Sequence, residues 1–278
     1  MHCAVLGDPI AHSLSPVLHR AAYVVLGLDW HYDAVRVPSG GLADFVATLD
    51  DRWRGLSLTM PLKREVLALG DTVAPRARLA GAANTVVLDG GRLHLDNTDL
   101  PGAAAAVREV WDGPVRSAVV LGAGATAASV GLALCDLGAT SVLLLARSPE
   151  RAAATVAVIA AHAAGPTVTV GGLDDDVGHA PPLAADVVVS TVPVAAQTPG
   201  LVRRCADVPV TFEALYDPWP TPLAAAALAD DRVLVGGLDL LVHQAVLQVG
   251  LFTGLDAGPG LLAAMRAAGA AALGARTS

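Results

Sequence analysis

Of the 18 basic residues in this 278-residue chain, one alone is a lysine, Lys63. Arginine serves wherever a positive charge is enough, whereas an ammonium adds a compact charge and a proton that can be released. Lys63 is therefore the first candidate for chemistry, set against the plainer reading of a solvated surface lysine. It closes the run Thr59-Met60-Pro61-Leu62-Lys63, just beyond an expected strand and inside the first turn of a helix that Pro61 opens. Asp96-Asn97-Thr98-Asp99 follows an expected hairpin strand and offers carboxylates to pair with that amine. Runs of this kind ordinarily cap helices, and Asp96 and Thr98 are read that way. A third group lies in the loop GDPIAHSLSP, residues 7 to 16, where Ser15-Pro16 is placed to open a helix. Paired hydroxyls at a helix N-terminus suit a carboxylate, although Ser15 by itself reads as a cap.

A different chemistry is written at Gly122-Ala123-Gly124-Ala125-Thr126-Ala127, between the apolar run Ser117 to Leu121 and a helix-like stretch over Ala128 to Leu137. A glycine turn between strand and helix lets the backbone approach a pyrophosphate, whose charge sits well on the helix N-terminus. In a chain with 28 glycines the string alone is weak, and the flanking strand and helix are what raise it. The next strand, Ser141 to Ala146, ends in Arg147-Ser148 with Arg151 following, where an NAD site would carry an acid for the ribose hydroxyls. Two guanidiniums and a hydroxyl at that tip suit a 2′-phosphate, so NADP is the expected cofactor.

The elements that must position these groups follow from periodicity. Short Val- and Leu-rich runs alternate with Ala-rich stretches of helical length, the pattern of an α/β chain. Strands are expected near 3–6, 30–37, 55–59, 84–88 and 92–95, with helices after Pro16, over 42–49 and after Pro61. A second set, near 117–121, 141–146, 167–170, 186–190, 208–212 and 232–235, reads as a six-strand doubly wound sheet. The tail, 238–252 and 260–273, reads as two helices without strands. Length and 54% hydrophobic content allow two cores and exclude a disordered chain.

A net charge of −8 without a basic run argues against nucleic acid. No apolar stretch is long enough for a membrane span, and the opening residues do not read as a secretory signal, so a cytoplasmic protein is expected. Cys3, Cys135 and Cys205 are read as small buried hydrophobes, and Asp174-Asp175-Asp176 as solvated surface. His12, His19, His94 and His243 have no metal-ligand spacing and are read as loop or surface groups; no metal is expected.

Eight ordered motifs carry a family resemblance across nearly the whole chain: GDPIAHSLSP at 7–16, SLTMPLK at 57–63, GAANT at 81–85, DNTD at 96–99, GAGATA at 122–127, ARSPERA at 146–152, YDPWPTPL at 216–223 and GGLDLLVHQA at 236–245. The sequence resembles the shikimate dehydrogenases. The resemblance implies reversible NADPH-dependent reduction of 3-dehydroshikimate to shikimate, with Lys63 and Asp99 as the catalytic pair. It implies that Ser13, Ser15 and Tyr216 bind the substrate carboxylate, and that Thr59, Asn84 and Gln244 bind ring hydroxyls. Gly122, Ala123, Gly124, Ala125, Thr126, Arg147, Ser148, Arg151, Val192 and Gly237 would hold the cofactor. It further implies a substrate domain of residues 1–101 completed by helices 238–278, a Rossmann-like NADP domain of 102–237, a cleft between them, and a monomer or homodimer. Ala125, Ala146, Leu100, Asp239 and Leu240 depart from the family pattern, while Lys63, Asp99, Asn84 and the two serines do not. A quinate/shikimate dehydrogenase using NAD and a non-catalytic NADP- or shikimate-binding regulator are the competing readings.

Overall fold

The computed structural model describes residues 1–173, 181–256 and 258–277. The aspartates 174–176 lie outside the described residues. Two compact units emerge, one formed by Met1–Gly102 with Leu241–Ser278 and the other by Ala103–Leu240.

The strands of the first unit are β1 (His2–Gly7), β2 (His31–Arg36), β3 (Trp53–Leu58), β4 (Thr72–Val73), β5 (Thr85–Asp89) and β6 (Arg92–Asp96). Its helices are α1 (Ser15–Val25), α2 (Leu42–Ala47), α3 (Leu62–Glu65), α4 (Pro75–Ala80) and the start of α5 (Asp99–Val110). The strands form one sheet in the order β2-β1-β3-β5-β6-β4. β2, β1 and β3 run parallel, and β5 and β6 form an antiparallel hairpin on β3. Register decides what this arrangement can do. Leu6 pairs with Leu58, Ser57 with Thr85, and Thr85 with Asp96. The loops that leave β1, β3 and β6 and the loop that enters β5 therefore share one edge of the sheet. Those loops are 8–14, 59–61, 97–98 and 81–84.

Both faces of this sheet are covered. Leu42, Leu62, Val66 and Ala77 from the short helices pack on Leu6, Leu56, Leu58 and Val86. On the other face Tyr23, Tyr32 and Phe252 pack on Cys3 and Val5. Phe252 belongs to α10 (Gly237–Thr253), whose greater part lies in this unit with α11 (Pro259–Thr277). A Cβ at Gly55 would collide with the Phe252 ring, so the close seat of α10 requires glycine there.

The second unit holds β7 (Ser117–Leu121), β8 (Ser141–Ala146), β9 (Thr167–Gly172), β10 (Val187–Ser190), β11 (Val210–Glu213) and β12 (Val233–Val235). Its helices include α6 (Ala125–Asp136), α7 (Pro149–Ala160), α8 (Pro199–Arg204) and α9 (Pro222–Ala229). The sheet is parallel throughout, in the order β12-β11-β10-β7-β8-β9. The chain leaves β7 in one direction and returns through β10 in the other, which makes the ends of β7 and β10 the switch point of a doubly wound sheet. Ala127 to Cys135 of α6 are buried without a break, as expected of a helix pressed between sheet and neighbouring helix.

Sequence periodicity does not mark β4 or α4, because a two-residue strand and a helix of six residues present too little repeat. Ser15 is the first residue of α1 and does not cap it; Leu14 holds the cap position without a side-chain bond. His19 departs further from expectation, being fully buried rather than on a loop or the surface. Among the described residues no helix is long and apolar enough to cross a membrane.

Candidate active site

The shared edge of the first sheet brings the suspected lysine to its acid. Lys63 Nζ donates to Asp99 Oδ2 at 2.6 Å, with side-chain exposures of 14% and 7%. Lys63 sits in α3, five residues beyond the end of β3, and Asp99 opens α5 after the two-residue loop that follows β6. A lysine so withdrawn from water and ion-paired is not the solvated surface group that composition alone would allow. Asp99 is held from its other side by Asn84, whose Nδ2 donates to Oδ1 at 2.8 Å. Asn84 lies just before β5 and its Oδ1 accepts from the Thr98 backbone N–H at 2.8 Å. The carboxylate is thus oriented by an amide and an ammonium at once, and charge-assisted bonds of this kind are the stronger ones.

Asp96 and Thr98 do other work than capping, while Asn97 Oδ1 accepts from the Leu100 N–H at 3.3 Å. Asp96 forms a two-pronged ion pair with Arg76, both contacts at 2.6 Å. The Thr98 hydroxyl joins Asn84 and Gln244 in the buried network. Gln244, on α10, turns inward: Oε1 accepts from Asn84 at 3.1 Å while Nε2 donates to Leu241 O in its own helix.

Ser13 and Ser15 flank the uncapped start of α1, and Ser15 N–H donates to Ser13 Oγ at 3.3 Å. Thr59 follows β3 on the same edge, and its methyl and the Met60 carbonyl press so closely on Gly7 that no Cβ fits there. Beneath these groups lies a layer that periodicity does not reveal. Tyr32 OH donates to Ser57 Oγ at 2.6 Å, Ser57 Oγ donates to Gln248 Oε1 at 2.7 Å, and Gln248 Nε2 donates to Thr85 Oγ1 and to Asn84 O, each at 3.0 Å. His19 stacks on Tyr32 with ring centroids 4.0 Å apart, and burial pushes its imidazole down to about 3. The only hint of this layer in sequence is Gln248 standing one helical turn beyond Gln244.

In the second unit the strand ends enclose a cavity of about 490 Å³. Of the residues expected to hold a cofactor, Gly122, Ala123, Gly124, Arg147, Arg151 and Val192 line it. Ala125 and Thr126 instead open α6, Ser148 caps α7 by accepting the Arg151 N–H at 3.3 Å, and Gly237 begins α10 against the Ala214 and Leu215 carbonyls. Tyr216 lies half-buried just past β11.

The donor set fits a dinucleotide. Gly122 takes φ +109°, and a Cβ there would strike Thr191 Oγ1, so only glycine makes this turn. A Cβ at Gly124 would meet nothing, and no side chain caps the N-terminus of α6. Its first N–H groups therefore face open space at the positive end of a twelve-residue helix, as a pyrophosphate needs. Arg147 and Arg151, both exposed, stand where a 2′-phosphate would lie. Sequence reasoning missed Thr191, Pro193, Ala195 and Ala196, which also line the cavity.

The wall they form is held by a buried carboxylate. Glu213, at the end of β11, accepts from Gln197 Nε2 at 2.7 Å, Thr221 Oγ1 at 2.8 Å and Leu215 N at 3.0 Å. Burial raises its carboxyl above the usual range while these donors pull it back.

A doubly wound sheet with an open glycine turn and a pair of arginines at its edge, joined in one chain to a unit bearing a lysine–aspartate pair withdrawn from water, defines a nicotinamide-dinucleotide oxidoreductase. The shikimate dehydrogenase substrate binding domain, as a family model, matches residues 5–86. The shikimate dehydrogenase (NADP(+)) of Methylobacterium radiotolerans is 36% identical over 254 residues, 87% of each chain. Among solved structures, the shikimate dehydrogenase of Mycobacterium tuberculosis is 39% identical with a TM-score of 0.86, covering 97% of this chain and 99% of that one. The Thermus thermophilus enzyme in complex with NADP(H) and shikimate is 32% identical with a TM-score of 0.80, covering 96% and 99%. The chain belongs to the shikimate dehydrogenase family.

Proposed function

We propose that the chain is an NADP-dependent shikimate dehydrogenase that interconverts 3-dehydroshikimate and shikimate in aromatic amino acid biosynthesis, working in the cytoplasm as a monomer or homodimer. The observation that carries the reading is the Lys63–Asp99 pair, 2.6 Å apart and withdrawn from water at the edge where the β1, β3 and β6 loops converge. The glycine turn, Arg147 and Arg151 would hold NADPH, which when bound would supply the hydride. The chain's own part is the proton and the orientation. As the ring ketone is reduced, negative charge grows on its oxygen, and the Lys63 ammonium stabilises that charge and transfers a proton from Nζ. In the reverse direction the same nitrogen takes the hydroxyl proton. Asp99 restrains the amine through Oδ2, and Asn84 restrains Asp99. Ser13 and Ser15 bind the carboxylate at the start of α1, and Thr59, Asn84 and Gln244 meet the ring hydroxyls.

Shikimate with NADP, followed at the NADPH absorbance, tests this directly. Turnover is expected with NADP and shikimate, and far less with NAD or quinate; preferred use of quinate and NAD would favour the quinate dehydrogenase reading, and no turnover at all a binding protein. Lys63→Ala should lower kcat about a hundredfold to ten-thousandfold. Lys63→Arg should remain strongly impaired, because it keeps the charge and withholds the proton.

A further inference from the structure

We propose that Thr85 and Gln248 act as positioning residues: together they fix which end of the Asn84 carboxamide faces Asp99, and so hold the carboxylate where Lys63 can use it. The inference rests on the assignment of Lys63 and Asp99 as the reacting pair.

A carboxamide has nearly the same shape either way round, and its partners alone decide which end carries the donors. Asn84, Thr85 and Gln248 are 2%, 0% and 1% exposed, so water does not make the choice. Asn84 Oδ1 accepts from the Thr98 N–H and the Thr85 hydroxyl, both at 2.8 Å, with the Thr98 hydroxyl further off at 3.1 Å. Its Nδ2 faces Asp99 Oδ1 at 2.8 Å. Turned over, Asn84 would set its oxygen against a carboxylate and its N–H groups against two donors.

Thr85 has only one proton to give, and Gln248 determines where it goes. Gln248 Nε2 approaches Thr85 Oγ1 and Asn84 O at 3.0 Å each, and an amide nitrogen can only donate. Two oxygens remain for the Thr85 proton, Asn84 Oδ1 at 2.8 Å and Thr98 Oγ1 at 3.4 Å, and the nearer takes it. Gln248 is itself oriented by Ser57 Oγ, which donates to Oε1 at 2.7 Å, and the Ser57 proton is directed there by Tyr32 OH at 2.6 Å. Every bond in the series from Tyr32 through Ser57, Gln248, Thr85 and Asn84 donates toward Asp99. A buried array in which each member has one consistent direction is rigid, and loss of one donor frees the next member to turn.

Thr85→Val exchanges the hydroxyl for a methyl of the same shape. We expect kcat for shikimate oxidation to fall about tenfold or more, with KM for NADP little changed. Thr85→Ser keeps the hydroxyl and loses a methyl, and should recover most of kcat. A mere packing role predicts the opposite order, because valine fills the space and serine leaves a void. Gln248→Met, which has no hydrogen to donate to Thr85, is the second variant and should show the same loss of kcat; it decides the matter if Thr85→Val does not fold. Wild-type kcat in folded Thr85→Val or Gln248→Met, or equal loss in Thr85→Ser and Thr85→Val, overturns the inference. These outcomes are read beside Lys63→Ala. If Lys63→Ala is inactive, a wild-type kcat in Thr85→Val removes the positioning role alone. If Lys63→Ala turns over normally, the assignment of the pair fails and this inference goes with it.

Discussion

His19 shows what a single buried polar side chain imposes. It stacks on Tyr32, its Nε2 lies 3.3 Å from Gln248 Oε1, and among the described residues its Nδ1 has no hydrogen-bond partner. Gln248 Oε1 can only accept, so the neutral ring carries its proton on Nε2. Burial lowers the imidazole from 6.5 to about 3, which means that the unfolded chain takes up a proton between those values and the folded chain does not. This contribution to stability is complete above pH 6.5 and is lost as pH falls toward 3, by about 1.4 kcal/mol per unit. Denaturant midpoints from pH 7.5 down to 4.5 should fall by an amount equivalent to about 3 kcal/mol from this group. His19→Phe should flatten that slope, since Ser57 still satisfies Gln248 Oε1; an unchanged slope would show that other groups carry it. Lys63 could be picked out beforehand because rarity is a property of composition. His19, Glu213 and Gln248 could not, because the burial of a polar side chain depends on partners far away in sequence, and only the fold brings Gln248 to Ser57.

At the scale of elements, the doubly wound sheet was the most legible feature. Strands such as Val187–Ser190 are buried on both faces and so read as unbroken apolar runs, and a sheet of that type predicts its own ligand edge. The wall of that edge was not legible, since it depends on Glu213 tying the ends of β10 and β11 to the segments that follow. Glu213 is surrounded by donors alone: Gln197 Nε2, Thr221 Oγ1 and Leu215 N. The Thr221 hydroxyl donates to it while its oxygen accepts from Ala224 N at 3.2 Å to cap α9. Glu213→Ala takes the acceptor from Thr221 Oγ1 and Leu215 N and leaves Gln197 Nε2 only Ser190 Oγ at 3.1 Å, at about 1–3 kcal/mol for each bond lost. The variant should lose about 3 kcal/mol or more in denaturant unfolding, and NADP affinity should weaken as Thr191 to Ala196 lose their anchor. A loss below about 1 kcal/mol would mean that water replaces the carboxylate and that the wall does not depend on it.

For the whole molecule, the order of the chain and the order of folding part company. Residues 103–240 are one continuous stretch containing every strand of the parallel sheet, whereas the first unit is split and completed only by 241–278. A fragment of residues 103–240 should therefore fold alone, melt cooperatively and bind NADP. Residues 1–102 should not fold alone. Without α10 they lose Phe252, which fills the face over Gly55 beside Tyr23 and Tyr32, and removal of a buried phenylalanine costs about 3–5 kcal/mol. They also lose Gln248, leaving Ser57 Oγ without its acceptor and the Asn84 carbonyl with the Leu58 N–H alone. Small domains are stable by only about 5–15 kcal/mol in total, so these losses with that of α11 remove most of the margin. Circular dichroism melts of the two fragments, and of 1–102 mixed with a 241–278 peptide, measure this. Cooperative unfolding of 1–102 by itself would show that the first sheet is self-sufficient. Restoration by the added peptide would show that the tail is an integral layer of that unit's core.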